Sequence, residues 1–183
     1  MEITATPLKD VYLITVKRFG DARGWFSEVF RESVFREATG RDLSFVQVNE
    51  SFSEGNILRG IHFQNPHPQG KLVRVSRGEV FDVAVDLRRS SPTFGKWYGA
   101  YLSEDNCRQL WIPEGFGHGF YVTGQCAHFI YHCTGYYHPE SEHTLRFDDP
   151  ELNIAWPVPR GVTPLTSAKD LKGVFFKELE PFA

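Results

Sequence analysis

Basic residues and a histidine are concentrated in two neighbouring stretches where a strand-forming chain normally carries apolar side chains. Arg59 and His62 lie within the stretch 58–64, and Lys71 begins the next such stretch. Strand side chains alternate between two faces, so Arg59 and His62 share a pocket only if the strand bulges, which Gly60 permits. The alternative is that Arg59 and Lys71 are solvated residues at a sheet edge and that His62 is a hydrogen-bonded core histidine, which is the commoner case for an isolated histidine. The clustering favours a basic pocket that contains a histidine.

A second concentration of functional residue types surrounds His118. A proline and three glycines in the stretch 111–120 predict a tight turn before a strand, which presents His118 on a rigid scaffold. This Pro-x-Gly-x-x-His pattern is similar to the second motif of the cupin β-barrels. In metal-binding cupins the first motif supplies two more histidines and a glutamate, whereas here His62 is followed by Gln64 at the second position. Because a glutamine cannot replace an imidazole as a transition-metal ligand, we predict no metal site.

The stretch 128–133 carries two more histidines and a tyrosine. On a strand, the Cα atoms of His128 and His132 stand roughly 13 Å apart, so the two side chains cannot bind one ion. We expect both at the surface or at an interface. Tyr131 faces the opposite side and is either a core aromatic with a hydrogen-bonded hydroxyl or a proton donor. The residue pattern alone favours the core position.

Short strands must position these residues. Alternation with a period of two is clearest in the stretch 79–87, which predicts a half-buried strand with Phe81 and Asp82 on opposite faces. Similar runs between turn sequences predict further strands at Val11–Lys17, Phe45–Phe52, Ile57–Gln64, Lys71–Ser76, Trp97–Leu102, Gln109–Ile112, Gly119–Val122, His128–Cys133 and Thr144–Phe147. Helix is limited to residues 33–39, which Gly40 ends, and to a short helix that begins near Ser167. We therefore predict an all-β sandwich or barrel, with the tail from Pro157 wrapped over its surface.

Size and composition restrict the function classes. The 183 residues, of which 41% are hydrophobic, predict a single domain over residues 1–183 with no separate cofactor domain. The 20 Lys and Arg residues nearly balance 23 Asp and Glu residues, so nucleic acid and anionic membranes are poor partners. Neither a signal peptide nor an apolar stretch of about 18 residues is present, which favours a cytoplasmic protein. The three cysteines form no C-x-x-C pair and predict no disulfide framework or thiolate zinc site.

Several stretches in a fixed order resemble one family, the dTDP-4-dehydrorhamnose 3,5-epimerases, which are metal-independent cupins of nucleotide-sugar metabolism. The similarity covers nearly the whole chain. Its most specific stretches are Phe45–Asn49, Leu58–Gln64, Gln69–Val75, Gly78–Arg88, Ser91–Gly95, Gln109–Phe116 and Ser167–Asp170. The resemblance implies a cupin-type jelly-roll β-barrel with a few short helices, a homodimer, no cofactor, and a dTDP-4-keto-6-deoxy sugar as substrate.

The resemblance also implies a role for individual residues. His62 matches the general base, Asp170 its carboxylate partner, and Tyr131 the general acid on the opposite face of the sugar. Lys71 matches the cation near the C4 oxygen. The positions that match substrate-binding residues are Phe19, Arg23, Glu28, Gln47, Asn49, Arg59, His118, Tyr137, Glu142 and Lys169. The first three of these are expected to reach the neighbouring subunit's site.

The implied reaction is epimerisation of dTDP-4-dehydro-6-deoxy-D-glucose at C3 and C5 to dTDP-4-dehydro-L-rhamnose. Both hydrogens lie alpha to one carbonyl, so one base can remove either, and a preplaced cation stabilises the resulting enolate. An alternative is epimerisation at one centre only. Gly135 bears on this alternative, since relatives usually carry Asp or Asn there and a glycine adds backbone freedom beside Tyr137. A metal-dependent cupin enzyme and a non-catalytic sugar-nucleotide binding module are the remaining alternatives.

Overall fold

A nine-stranded antiparallel sheet dominates the computed structural model, which describes residues 1–182. Its strands are β1 (Glu2–Ala5), β2 (Tyr12–Thr15), β5 (Gln47–Glu54), β6 (Leu58–Gln64), β7 (Lys71–Asp86), β8 (Trp97–Ser103), β9 (Arg108–Ile112), β10 (Phe116–Cys133) and β11 (Glu142–Thr144). A separate hairpin consists of β3 (Phe19–Asp21) and β4 (Gly24–Phe26). The helices are α1 (Glu32–Thr39) and three single 3-10 turns (Pro139–Ser141, Asp170–Lys172 and Phe176–Glu178). The prediction of an all-β protein with few short helices is confirmed.

The two longest strands connect the two halves of the sheet. The first half of β7 pairs with β9 and its second half with β8, while β10 pairs first with β6 and then with β5. The sequence predicted Lys71–Ser76 as a strand separate from 79–87, and Gly119–Val122 as a strand separate from His128–Cys133. Both breaks are wrong, because each pair forms one continuous strand. Gly78 has a φ of +81°, and a Cβ there would lie 1.8 Å from the carbonyl oxygen of Cys126. This close approach bends the paired strands without ending them.

Aromatic and β-branched side chains fill the space between the two halves of the sheet. Phe120 and Phe129 of β10 stack with ring centroids 4.2 Å apart, among buried residues of β7 and β9. On the outer face, Phe35 of α1 packs edge-on against Trp111 at 5.6 Å. Each fully buried aromatic side chain contributes about 2–3 kcal/mol to folding. The predicted helix is confirmed, and Gly40 ends it with a φ of +69°.

The carboxyl-terminal tail runs over the sheet and is attached at three points. Single β-bridges join Leu165 to Ile57, Val174 to Leu145 and Phe182 to Arg88. The predicted wrapped tail is confirmed, and its short helix is the 3-10 turn Asp170–Lys172, which contacts β6. Strands β1, β3 and β4 were not predicted, because each has only three or four residues and the hairpin is rich in glycine. Within residues 1–182, no helix has the length and apolar character needed to cross a membrane.

Candidate active site

A bulge in β6 brings Arg59 and His62 to the same side of the strand. His62 pairs with His118 of β10, and Arg59 pairs with Phe120. Between these two pairs, β6 therefore contains one residue more than β10. Gly60 lies in the bulge with a φ of +106°, and a Cβ there would lie 2.6 Å from the carbonyl oxygen of His118. The predicted bulge is confirmed. Both side chains line a cavity of about 210 Å³.

His62 is hydrogen-bonded to a carboxylate supplied by the tail. Its Nε2 lies 2.6 Å from Oδ1 of Asp170, and the two side chains are 30% and 3% exposed. Burial opposes ionisation of Asp170, but hydrogen bonds from His62 and Ser167 outweigh it and hold the pKa of this carboxyl below its usual range. An ionised Asp170 accepts only, so Nε2 of His62 carries the proton and Nδ1 remains basic. The pair therefore has the arrangement of an oriented general base.

A second histidine–aspartate pair lies on the neighbouring strands. Nε2 of His118 lies 2.8 Å from Oδ2 of Asp82, and the side chains are 9% and 0% exposed. Burial lowers the pKa of His118, and the opposing influence of Asp82 does not restore it. The imidazole also stacks on Phe129, with ring centroids 5.8 Å apart. His118 is therefore a neutral imidazole at physiological pH, fixed in orientation by its neighbours.

Lys71 and Tyr131 line the same cavity as the two histidines. Burial lowers the pKa of Lys71, while nearby Cys133, Glu142 and Asp82 favour its charged form. Burial raises the pKa of the Tyr131 phenol, which therefore keeps its proton at neutral pH. A poorly hydrated ammonium interacts strongly with an anion beside it, since the surrounding dielectric is low. The cavity thus brings together a hydrogen-bonded histidine, a buried lysine and a protonated phenol.

The cavity adjoins a wider cleft of about 420 Å³, whose lining includes His62, Lys71 and Tyr131. Five further residues predicted as functional line this cleft: Gln47, Asn49, Tyr137, Glu142 and Lys169. The hydroxyl of Tyr137 donates to Oε2 of Glu142 at 2.6 Å, and Lys169 forms an ion pair with the same oxygen. Burial of Glu142 opposes ionisation, but these two contacts keep its pKa below the usual range. The mouth of the cleft is therefore polar, with paired charges.

The chain is similar over nearly its whole length to proteins of one family. The profile of the family described as dTDP-4-dehydrorhamnose 3,5-epimerase matches residues 5–178. The chain belongs to this family. The epimerase of Shigella flexneri is 50% identical over 183 residues, which cover 100% of this chain and 99% of that protein. The epimerase of Neisseria gonorrhoeae is 52% identical over all 183 residues, but the chain spans only 55% of its length.

Solved structures of the epimerase family share the fold. The dTDP-6-deoxy-D-glucose-3,5-epimerase of Legionella pneumophila Philadelphia 1, in complex with dTDP-4-keto-L-rhamnose, matches with a TM-score of 0.93 and 46% identity. The match covers 100% of this chain and 98% of that one. The predicted cupin-type jelly-roll fold is therefore confirmed, as is the family resemblance.

Not all residues that match epimerase positions lie at the cleft. Arg59 lies on the cavity wall, where it donates to Oγ of Ser53 at 3.0 Å. Three others lie elsewhere, on or near the β3–β4 hairpin. Phe19 is 63% exposed, Arg23 forms an ion pair with Asp21 in the hairpin, and Glu28 forms one with Arg31 beyond it. Among residues 1–182 of a single chain, these three do not line the cleft.

The sequence did not assign functional positions to Asp82 and Gln64. The only available signal for Asp82 was its place on the polar side of the alternating stretch, where it is fully buried. Gln64 occupies the place of a metal-ligating histidine, and its Nε2 instead donates to the carbonyl of His67 at 2.7 Å. The described part of the chain holds no group of three or more His, Cys, Asp or Glu side chains suited to a metal ion. His128 is partly exposed as predicted, whereas His132 packs on Phe45 at 5.4 Å.

Proposed function

We propose that the chain is an isomerase that epimerises dTDP-4-dehydro-6-deoxy-D-glucose at C3 and C5 to dTDP-4-dehydro-L-rhamnose. The observation that carries this proposal is the placement of the His62–Asp170 pair in one cavity with Lys71 and Tyr131. Removal of a proton and its return to the opposite face change no oxidation state, so these groups suffice for the chemistry. Family membership supports the substrate class.

His62 acts as the base. Its Nδ1 removes the hydrogen from C3 or C5, and the electron pair of the broken C–H bond moves into an enolate whose charge lies on the C4 oxygen. The imidazolium that forms is stabilised by Asp170, whose low pKa keeps it ionised through the step. A partly exposed histidine is suited to this role because it can exchange the proton with solvent between steps.

Lys71 stabilises the enolate, and Tyr131 completes the inversion. An ammonium held near the C4 oxygen contributes about 3–4 kcal/mol to transition-state stabilisation, the magnitude typical of one preplaced oxyanion donor. Tyr131 then gives its proton to the carbon from the face opposite His62. Because burial raises the pKa of Tyr131, the phenolate regains a proton readily from solvent before the second centre reacts.

The nucleotide diphosphate binds in a further pocket of about 370 Å³ beside His62, where Arg59 and Lys169 supply positive charge. The protein is a homodimer, in which each hairpin extends to the partner's cleft and contributes Phe19, Arg23 and Glu28. Support comes from the hairpin itself, whose aromatic side chains at Phe19, Trp25 and Phe26 are 63%, 60% and 69% exposed. Exposed aromatic side chains clustered on a projecting hairpin are typical of a contact surface.

Mixing two inactive variants tests the shared site. Arg23→Ala and His62→Ala proteins are mixed, dissociated and reassociated. Half of the reassociated dimers then contain one chain of each variant. In each of these heterodimers one of the two sites has both residues intact, so about a quarter of wild-type activity should return. Failure of the mixture to exceed either parent would contradict a site built from two chains.

Proton exchange tests the reaction itself. The wild-type protein is incubated with the 4-keto sugar nucleotide in deuterated water, and the product is followed by NMR. Deuterium at both C3 and C5, with inversion, is expected. Deuterium at a single centre would support the one-centre epimerase instead, and deuterium at neither would overturn the proposed chemistry.

A further inference from the structure

Glutamine side chains bind a four-residue segment that carries Tyr137 across the cleft mouth. This segment, residues 135–138, lies between β10 and the 3-10 turn Pro139–Ser141 and has no regular secondary structure. Each of its four residues forms one backbone hydrogen bond to a glutamine outside the segment. The contacts are Gln69 Nε2 to Gly135 O at 2.8 Å, Gln64 Nε2 to Tyr136 O at 3.2 Å, Tyr137 N to Gln47 Oε1 at 3.0 Å and His138 N to Gln64 Oε1 at 2.9 Å. We call these three residues the glutamine cradle.

Gln64 is the central member of the cradle. It is 4% exposed, and its Nε2 also donates to the carbonyl of His67 at 2.7 Å. Its amide therefore joins the 65–70 loop to segment 135–138, and its donor and acceptor atoms are both engaged by backbone groups. On the outer side of the same contact, the rings of His67 and His138 stack with centroids 4.3 Å apart. In metal-binding cupins this position holds a histidine ligand, whereas here Gln64 connects two loops.

The cradle fixes the side chain that partly closes the cleft. Tyr137 is 49% exposed and lines the cleft, where its hydroxyl donates to Glu142. Its segment begins at Gly135, the most flexible residue type, and lacks a helix or strand to restrain it. The hydrogen bonds from Gln64 and Gln69 remove the freedom that the glycine introduces. A substrate that meets a preordered tyrosine loses less conformational entropy on binding.

We propose that Gln64 and Gln69 are positioning residues that hold Tyr137 across the cleft mouth and thereby set the affinity for the sugar nucleotide. This inference rests on the proposed function for its substrate. The amides act on backbone groups of the mouth segment, whereas His62 and Tyr131 move the protons. Losing the cradle should therefore raise KM and leave kcat nearly unchanged.

Gln64→Leu removes three backbone hydrogen bonds at nearly constant volume. We expect KM and the Kd for dTDP to rise about tenfold or more, with kcat within about threefold of wild type. Asn106→Leu is the matched control. Its amide also makes three backbone hydrogen bonds, to Ser103 N, Arg108 N and Tyr101 O, in the turn between β8 and β9. Asn106 lines neither the cavity nor the cleft, so this variant should keep wild-type KM and kcat.

Amide hydrogen exchange supplies a readout that needs no substrate. In Gln64→Leu the amides of Tyr137 and His138 should exchange about tenfold faster or more, while those of the β8–β9 turn stay unchanged. Gln69→Leu removes only the bond to Gly135 and should raise KM by about threefold. It carries the same test if Gln64→Leu fails to fold.

The outcomes separate this inference from the proposed function. Unchanged KM and unchanged exchange at Tyr137 and His138 in a folded variant would overturn the cradle, as would a fall in kcat at constant KM. A wild-type protein that does not convert the 4-keto sugar nucleotide would overturn the proposed function. Faster exchange of the two amides together with weaker dTDP binding would still support the positioning role in that case.

Discussion

His62 of β6 and His118 of β10 lie side by side, and each is hydrogen-bonded to an aspartate, but the two histidines differ in their access to solvent. His62 and His118 occupy paired positions on the two strands, and their bonds to aspartate are 2.6 Å and 2.8 Å long. The His62 side chain is 30% exposed, whereas that of His118 is 9% exposed. Nearly the same hydrogen-bonded geometry thus exists once at the edge of the cavity and once in its wall.

The difference in burial suits the two histidine–aspartate pairs to different roles. His118 is held neutral because burial lowers its pKa, and one carboxylate oxygen of Asp82 has no partner among the described residues. Removing His118 would leave that buried carboxylate without its principal partner. Asp170 keeps hydrogen bonds from Ser167 and from the backbone of Gly60, so it does not depend on His62 alone. We therefore assign proton transfer to the exposed pair and structure to the buried pair.

Replacement of His62 should give the largest effect on activity. In His62→Asn the base is lost, so kcat/KM should fall by about 10³-fold. The free energy of unfolding should change by only about 1 kcal/mol, because the side chain is partly exposed and Asp170 keeps other donors. Steady-state kinetics and urea denaturation of the same preparation measure the two effects. Near-normal turnover would refute the assignment of the base.

Replacement of His118 should lower stability more than it lowers activity, the reverse of the effect expected for His62. His118→Ala leaves a cavity beside Phe129 and removes the hydrogen-bond partner of the fully buried Asp82 carboxyl, so the free energy of unfolding should fall by about 3 kcal/mol. Activity of the folded fraction should persist, with KM raised by about tenfold because His118 matches a substrate-binding position. Denaturant unfolding measures the stability. A stability equal to that of wild type would show that the buried pair has no structural role.

Replacement of Asp170 weakens the exposed pair without removing the base. In Asp170→Asn the imidazole loses the negative charge that stabilises its protonated form, so kcat should fall by about 50-fold. Steady-state kinetics at saturating substrate measure this fall. Turnover at the wild-type rate would mean that the carboxylate does not act on His62.

The pH dependence of stability should report the buried pair with the smallest effect. The folded pKa of His118 lies below the 6.5 of an unperturbed histidine, so below this pH the unfolded chain binds the proton first. The free energy of unfolding should therefore decrease by about 1 kcal/mol as pH falls from 7.5 toward 5.5. Asp170 does not contribute in this range, since its pKa lies below the ordinary value of 3.8.

A pair of variants isolates this pH effect. In His118→Gln the free energy of unfolding should depend less steeply on pH, because the contribution of His118 is lost. His128 is a partly exposed histidine beside Glu50, and His128→Gln should keep the wild-type pH dependence. Urea denaturation at several pH values measures the slope. Equal slopes in the two variants would contradict the assignment to His118.

Local features of the site followed from residue types and their order. The bulge at Gly60 could be predicted because Arg59 and His62 share a face only if the strand gains a residue. Helix α1 and its end at Gly40 were also predictable, since a short helical run ended by a glycine is a local pattern. The strand ends near Gly78 could not be predicted correctly, because a glycine that permits a bend resembles one that forms a turn.

Pairings between distant parts of the chain required either the family resemblance or the structure. Asp170 lies 108 residues from His62, and no periodicity of either stretch indicates that they meet. The Asp82–His118 pair, 36 residues apart, was missed for the same reason. The cradle was missed because Gln64 has no distinctive type or spacing once the metal site is excluded.

Deuterium exchange in three proteins tests the division between the two pairs most directly. Wild type, His62→Asn and His118→Asn are incubated with the 4-keto sugar nucleotide in deuterated water, and incorporation at C3 and C5 is followed at saturating substrate. We expect exchange at both positions in wild type and His118→Asn, and exchange about 10³-fold slower at both positions in His62→Asn. Exchange at the wild-type rate in His62→Asn, or its loss only in His118→Asn, would contradict the assignment of the base to the exposed pair.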